Sequence, residues 1–202
     1  MRALAALVLA LALWSCGEAP VAHAQANVPA DRIGTAVFAG GCFWCTEADF
    51  EHSPGVIDAV SGYTGGRTAN PTYEQVSAGG TGHYEAVRVR YDRRRVTYLQ
   101  LARHFFRTVD PTDAGGQFCD RGSSYRTAIF FADAAQRRDA EQAKAEVERI
   151  LGVRVATAIV PLGAFTPAEA YHQDYYRRNP IRYRYYRSRC GRDARIAQVW
   201  RR

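Results

Sequence analysis

At 202 residues, with 47% hydrophobic and 23% charged residues, the chain suits one domain with a substantial core, and its composition excludes a disordered polymer. The formal net charge is +7, and of 27 basic residues only Lys144 is a lysine. A basic surface leaves nucleic acid or an anionic surface open as a partner without requiring one.

The elements follow in chain order. Arg2 precedes an unbroken apolar run from Ala3 to Trp14, too short for a comfortable membrane span and of the length of a signal-peptide core. Ala22-His23-Ala24 fits a small-x-small cleavage site that would leave Gln25 as the new N-terminus. Leu13-Trp14-Ser15-Cys16 offers a second exit, lipidation at Cys16 and anchorage to the envelope, to which the bulky Trp14 fits poorly. The expectation is an exported, periplasmic protein with a signal peptide over 1–24 and one domain over 25–202. Arg2 and Glu18 cancel, so cleavage leaves the net charge unchanged.

Thr35 to Ala39 reads as a short buried strand, Gly40-Gly41 as a turn, and Cys42 to Glu51 as a helix. Val56 to Tyr63 is a second strand, closed by Thr64-Gly65-Gly66, and Pro71 to Ser77 a short helical turn. Tyr84 to Tyr91 alternates cleanly, with Glu85, Val87, Val89 and Tyr91 on one face. Thr97 caps a helix through Thr108. A polar loop covers Asp110 to Ser124, Tyr125 to Phe131 is a strand, and Asp133 with Gln136 opens a long helix to Leu151 in the manner of a capping box. Arg154 to Pro161 is the last strand, and a short helix and an Arg/Tyr-rich tail follow from Thr166. The order is not strictly βαβα, which favours α+β: a mixed sheet with helices packed on it.

Chemistry concentrates at Gly40-Gly41-Cys42-Phe43-Trp44-Cys45. A strand ends, two glycines turn the chain, and a cysteine opens a helix. Free N–H groups and the positive end of the dipole would favour a thiolate, so Cys42 is expected to have a lowered pKa. The glycines would let a substrate approach the backbone. Phe43 and Trp44 could line an apolar pocket suited to a methyl-thioether. Glu85 stands among valines, where desolvation would raise its pKa and leave it a proton donor near neutrality. Tyr63 and Tyr125 carry hydroxyls able to bond a developing oxyanion, and Asp120 lies in the polar loop. Taken singly, these three read as packing and turn residues. Beyond residue 24 the cysteines are Cys42, Cys45, Cys119 and Cys190, an even set compatible with two disulfides or with reactive thiols.

These residues resemble a known family. Gly41-Cys42-Phe43-Trp44 is similar to the signature of the A-type peptide methionine sulfoxide reductases. Gly62-Tyr63-Thr64-Gly65-Gly66, Asn70-Pro71-Thr72-Tyr73, Gly82-His83-Tyr84-Glu85-Ala86-Val87, Asp120-Arg121-Gly122-Ser123-Ser124-Tyr125-Arg126 and Ala170-Tyr171-His172-Gln173 resemble further family motifs in the same order. The resemblance spans about Thr35 to Cys190. It implies an α+β two-layer sandwich with a ferredoxin-like mixed sheet core. It implies Cys42 as nucleophile, Phe43 and Trp44 as the pocket for the sulfoxide methyl, and Glu85 as the acid. Tyr63 and Tyr125 would bond the sulfoxide oxygen, and Asp120 would shape the site. A Cys42 sulfenic acid would condense with a second cysteine, and thioredoxin or an exported thioredoxin-like dithiol would reduce the disulfide. The substrate would be the S epimer, free or in proteins, handled by a monomer with no metal or organic cofactor and no nucleic-acid partner. The resolving candidates, in order, are Cys190 in the tail, Cys45 three residues along the helix, and Cys119.

Three rival readings stand beside this one. Cys42-Phe43-Trp44-Cys45 has the C-x-x-C spacing of a thiol–disulfide oxidoreductase, which would need a thioredoxin-type βαβ unit and would leave Glu85 without a role. Tyr175 to Arg189 interleaves aromatics and arginines as a nucleic-acid binder could, or as a solvated wrap. Cys42, Cys45 and His52 make only an incomplete metal set.

Overall fold

The computed structural model describes residues 28–201. The expected signal peptide at 1–24, with its alternative at Cys16, lies outside the described residues. In chain order the elements are β1 (Ile33–Gly40), α1 (Phe43–Glu51), β2 (Val56–Thr64), α2 (Tyr73–Ala78), β3 (Tyr84–Asp92) and α3 (Tyr98–Arg107). A small hairpin, β4 (Gly116–Gln117) and β5 (Asp120–Arg121), precedes a 3-10 turn over Ser123–Tyr125. β6 (Thr127–Phe131), α4 (Ala134–Leu151), β7 (Ala158–Pro161) and β8 (Thr166–Pro167) follow, and α5 (Tyr175–Arg178), α6 (Pro180–Arg189) and α7 (Arg192–Val199) end the chain.

The main sheet has six strands in the order β7-β6-β1-β3-β2-β8. Its four central strands, β6-β1-β3-β2, pair antiparallel, and with α1 and α3 they form the split βαβ–βαβ of a ferredoxin-like core. β7 adds parallel to β6, which makes the sheet mixed. No thioredoxin-type unit surrounds the C-x-x-C among the described residues, because antiparallel β3 separates β1 from β2.

The two-residue period of each strand sorts the side chains. Phe38, Tyr63, Val87, Val89 and Ile129 join α1 and α3 in the larger core, while Val37, Ala39, Ala86, Ala128 and Phe130 fill the opposite face. Phe38 stacks between Phe50 of α1, 4.7 Å away, and Phe105 of α3, 5.2 Å away. Truncating so central a ring would cost about 3–5 kcal/mol. The β2–β3 register sets Tyr63 beside Glu85 on the helix-covered face, so the same pairing that builds the core delivers two polar side chains to one end of it.

Local signals explain the helix starts. The side chains of Thr97 and Gln100 bond reciprocally to the backbone at the head of α3, and Thr72 with Gln75 does the same for α2. α4 has half of this arrangement: Asp133 accepts from the Gln136 N–H at 2.8 Å, but the Gln136 side chain accepts from Ala132 N–H instead. Some expected boundaries move. Tyr125 belongs to the 3-10 turn rather than to β6, and β7 begins at Ala158, not Arg154. The tail holds three helices where one was expected. Among the described residues, no helix is long and apolar enough to cross a membrane.

Candidate active site

Cys42 is the N-cap of α1, one residue before the helix proper. Gly41 turns the chain there with φ 81°, and a Cβ on it would lie 2.5 Å from Cβ of Gln117. A Cβ on Gly40 would lie 2.7 Å from Thr46 Oγ1. The glycine pair is therefore met by the protein's own side chains, which corrects the expectation that it opens the backbone to substrate.

The helix terminus also acts differently from the expectation. The Phe43 N–H does not cap the Cys42 sulfur; it donates to Glu85 Oε2 at 3.0 Å. Cys42 is 5% exposed, and burial pushes its thiol well up, with the neighbouring Cys45 adding to the rise. The expected lowering of Cys42 is thus overturned, because desolvation outweighs an N-terminus whose donor serves another group. Cys45, on the first turn and also buried, is lowered by its hydrogen bond with Cys42 and by the charges of Arg192 and Arg187. Both thiols are free.

Glu85 is 3% exposed, and burial pushes its carboxyl up to about 8 against the Phe43 hydrogen bond, which opposes the rise. It is a neutral acid at pH 7, held beside the first turn of α1 next to Cys42. Tyr63 is fully buried and donates to Glu169 Oε2 at 2.9 Å, and burial raises its phenol. Tyr125 is half-buried at the 3-10 turn, its phenol raised by burial and then by nearby Glu85. Asp120 sits in the β4–β5 hairpin, half-buried, its carboxyl raised by burial while the Tyr186 hydroxyl and Arg192 oppose the rise.

Phe43 is 1% exposed, with rings of Tyr63 at 5.9 Å and His172 at 4.9 Å. Trp44 is partly exposed; its Nε1–H donates to His172 Nδ1 at 3.0 Å and its ring stacks on Tyr175 at 3.8 Å, nearly parallel. Cys119 and Cys190 are joined in a disulfide, with Cα atoms 4.9 Å apart. Cys190, first among the resolving candidates in the sequence, is therefore paired with the third, and Cys45 is the thiol beside Cys42.

Apart from Cys190, the sequence places no residue of the tail at this site, and the structure brings several there. Tyr175, Tyr176, Tyr183 and Tyr186 pack against Cys42, Cys45 and Trp44. The Tyr186 hydroxyl donates to Asp120 Oδ2, and its ring belongs to the group packed around Cys42. Arg192, 1% exposed, anchors the tail: it donates to Thr108 O at 2.7 Å and Gly40 O at 3.3 Å, and its guanidinium lies 4.7 Å over Phe118. Tyr183, Tyr186 and Cys190 recur at spacings of three and four, which would have marked a buried helix face.

A family model described as peptide methionine sulfoxide reductase matches residues 34–202. The chain is 48% identical over 191 residues to peptide methionine sulfoxide reductase MsrA 2 of Caulobacter vibrioides, covering 94% of this chain and 97% of that one. It is 52% identical over 165 residues to the protein of the same name from Rhizobium meliloti, covering 82% of each. Among solved structures, the reduced form of Mxr1 from Saccharomyces cerevisiae aligns with a TM-score of 0.72 at 30% identity, over 76% of this chain and 89% of that one. Methionine sulfoxide reductase A of Corynebacterium diphtheriae aligns with a TM-score of 0.69 at 34% identity, over 74% and 76%. The chain belongs to the peptide methionine sulfoxide reductase family.

Proposed function

We propose that the chain reduces methionine-S-sulfoxide, free or within oxidised proteins, with Cys42 as nucleophile and Glu85 as acid. The observation that carries the assignment is the pair itself: a buried carboxyl, neutral at pH 7, bonded to the N–H of the residue next to the cysteine. The Cys42 sulfur attacks the sulfoxide sulfur as the S–O bond breaks, and Glu85 delivers a proton to the departing oxygen. The released oxygen, as water, then attacks the Cys42 sulfur, the sulfur–sulfur bond to the substrate breaks, methionine leaves with its thioether restored, a proton is released, and Cys42 becomes a sulfenic acid. Phe43 and Trp44 form the apolar wall for the sulfoxide methyl. Tyr125 bonds the oxygen, and Tyr63 serves the same oxygen once its hydroxyl turns from Glu169.

Cys45 resolves the sulfenic acid: its thiol attacks Cys42, the disulfide forms, and water carries away the oxygen. Its burial beside Cys42 supports this over Cys190 and Cys119, which are bonded to each other. An external dithiol of the thioredoxin kind then reduces the Cys42–Cys45 bond by exchange. The pattern of Arg2, an apolar run and Ala22-His23-Ala24 supports export, so the dithiol would itself be exported.

The test supplies the chain and dithiothreitol with the separated S and R epimers of a protected methionine sulfoxide and follows methionine. Reduction of the S epimer alone, lost in Cys42→Ser, is the expected result. Reduction of neither epimer by a folded chain with a free Cys42 thiol would overturn the proposal.

A further inference from the structure

The nucleophile poses a physical problem. Cys42 is buried, no backbone N–H caps its sulfur, and burial holds the proton on its thiol. Releasing that proton to water would place a new negative charge inside a cluster that already contains Asp120, at a high cost in a low-dielectric site. Moving the proton within the cluster instead relocates one charge and creates none.

Resting on the assignment of Cys42 as nucleophile, we propose that Tyr186 of α6 is a catalytic residue, the relay that carries the Cys42 proton to Asp120. The hydroxyl donates to Asp120 Oδ2, and the Tyr186 side chain packs against the cluster that holds buried Cys42. Its ring is held by an edge contact with Trp44, centroids 5.8 Å apart. The step balances. The thiol proton passes to the Tyr186 oxygen while the original hydroxyl proton passes to the Asp120 carboxylate. Tyr186 stays neutral, Asp120 becomes a carboxylic acid, and the hydroxyl now donates to the new thiolate and accepts from Asp120.

The two carboxyls of the site then divide the work. Glu85, pushed up to about 8 by burial, serves as the acid; Asp120, raised by burial while Tyr186 and Arg192 oppose the rise, serves as the proton acceptor. Helix α6 is placed for this duty from two sides. The Cys119–Cys190 disulfide ties its end to the residue next to Asp120, and buried Arg192 fixes the segment that follows.

The test is Tyr186→Phe in the full chain, which keeps the ring and its edge on Trp44. Alkylation of Cys42, mapped by mass across a pH series without any sulfoxide, reports the thiolate independently of the reaction. The Cys42 curve is expected to move to higher pH, and the single-turnover rate of methionine release to fall by about 10²-fold, in the range of lost acid–base catalysis. Asp120→Asn is expected to lose a similar factor, and the double variant no more than the worse single, because a relay fails once. An unchanged alkylation curve and rate in Tyr186→Phe would overturn the proposal. So would losses that multiply in the double variant, or a curve moved by Cys45→Ser but not by Tyr186→Phe, which would make Cys45 the acceptor. Absence of turnover in the wild-type chain, with the alkylation shift intact, would instead count against the sulfoxide assignment.

Discussion

Cys42 and Cys45 lie buried and free on the first turn of α1, whereas Cys119 and Cys190 lie nearer the surface and are joined. The sequence offers four cysteines of one type, and position in the fold makes two kinds of them. The inner pair is enclosed by Trp44 and the tail tyrosines, where burial raises the Cys42 thiol and the hydrogen bond with Cys42 lowers that of Cys45. The outer pair closes a span of 71 residues and ties the hairpin that carries Asp120 to the helix that carries Tyr186. Burial and a free thiol suit the inner pair to the proposed chemistry, whereas the outer pair is a covalent tie between two segments.

Breaking the inner pair should have the largest effect. Cys42→Ser is expected to abolish methionine formation in both steady-state and single-turnover assays. Glu85→Gln keeps the shape of the site and should lower kcat by about 10²–10⁴-fold with little change in KM, since the acid acts only in the transition state. Because Glu85 is held up at about 8, the wild-type rate should fall as pH rises through that value, and the limb should vanish in Glu85→Gln. The same shift acts on stability. A carboxyl raised in the folded state favours folding fully below its ordinary range near 4.5, and that contribution is lost as pH climbs to about 8. Urea unfolding across this window measures it, with a flatter profile expected for the glutamine variant.

Smaller effects sharpen the contrast. Cys45→Ser should release one methionine per chain at near wild-type rate and then stall with a thioredoxin-like dithiol, because the step lost is resolution. Cys119→Ser should do the reverse, leaving first-turnover chemistry largely in place while lowering stability by about 2–4 kcal/mol, read as a fall in Tm. Equal kinetic losses in the two variants would dissolve the distinction between the pairs.

Much of this was legible in the sequence. The alternation of β3 placed Glu85 on a buried face, and the strand–Gly-Gly–Cys order placed Cys42 at a helix start. The thiol's pKa was not legible, because the dipole argument uses local sequence, whereas burial by Tyr183 and Tyr186 and capture of the Phe43 N–H by Glu85 are long-range events. The tail was the largest gap. Its arginines suggested a solvated face, yet Arg192 is buried by bonds to Gly40 and Thr108, more than 80 residues away in sequence. Tertiary packing overrode composition there.

Whether Cys42 and Cys45 form the reacting unit is decided by one single-turnover experiment. The chain with Cys42 and Cys45 reduced is mixed with excess S epimer and no reductant, quenched, and its disulfides mapped by mass. One methionine released per chain, a new Cys42–Cys45 bond and an unaltered Cys119–Cys190 bond are expected. A Cys42 bond to Cys190 or Cys119, or methionine released with Cys42 still a free thiol, would contradict this pairing.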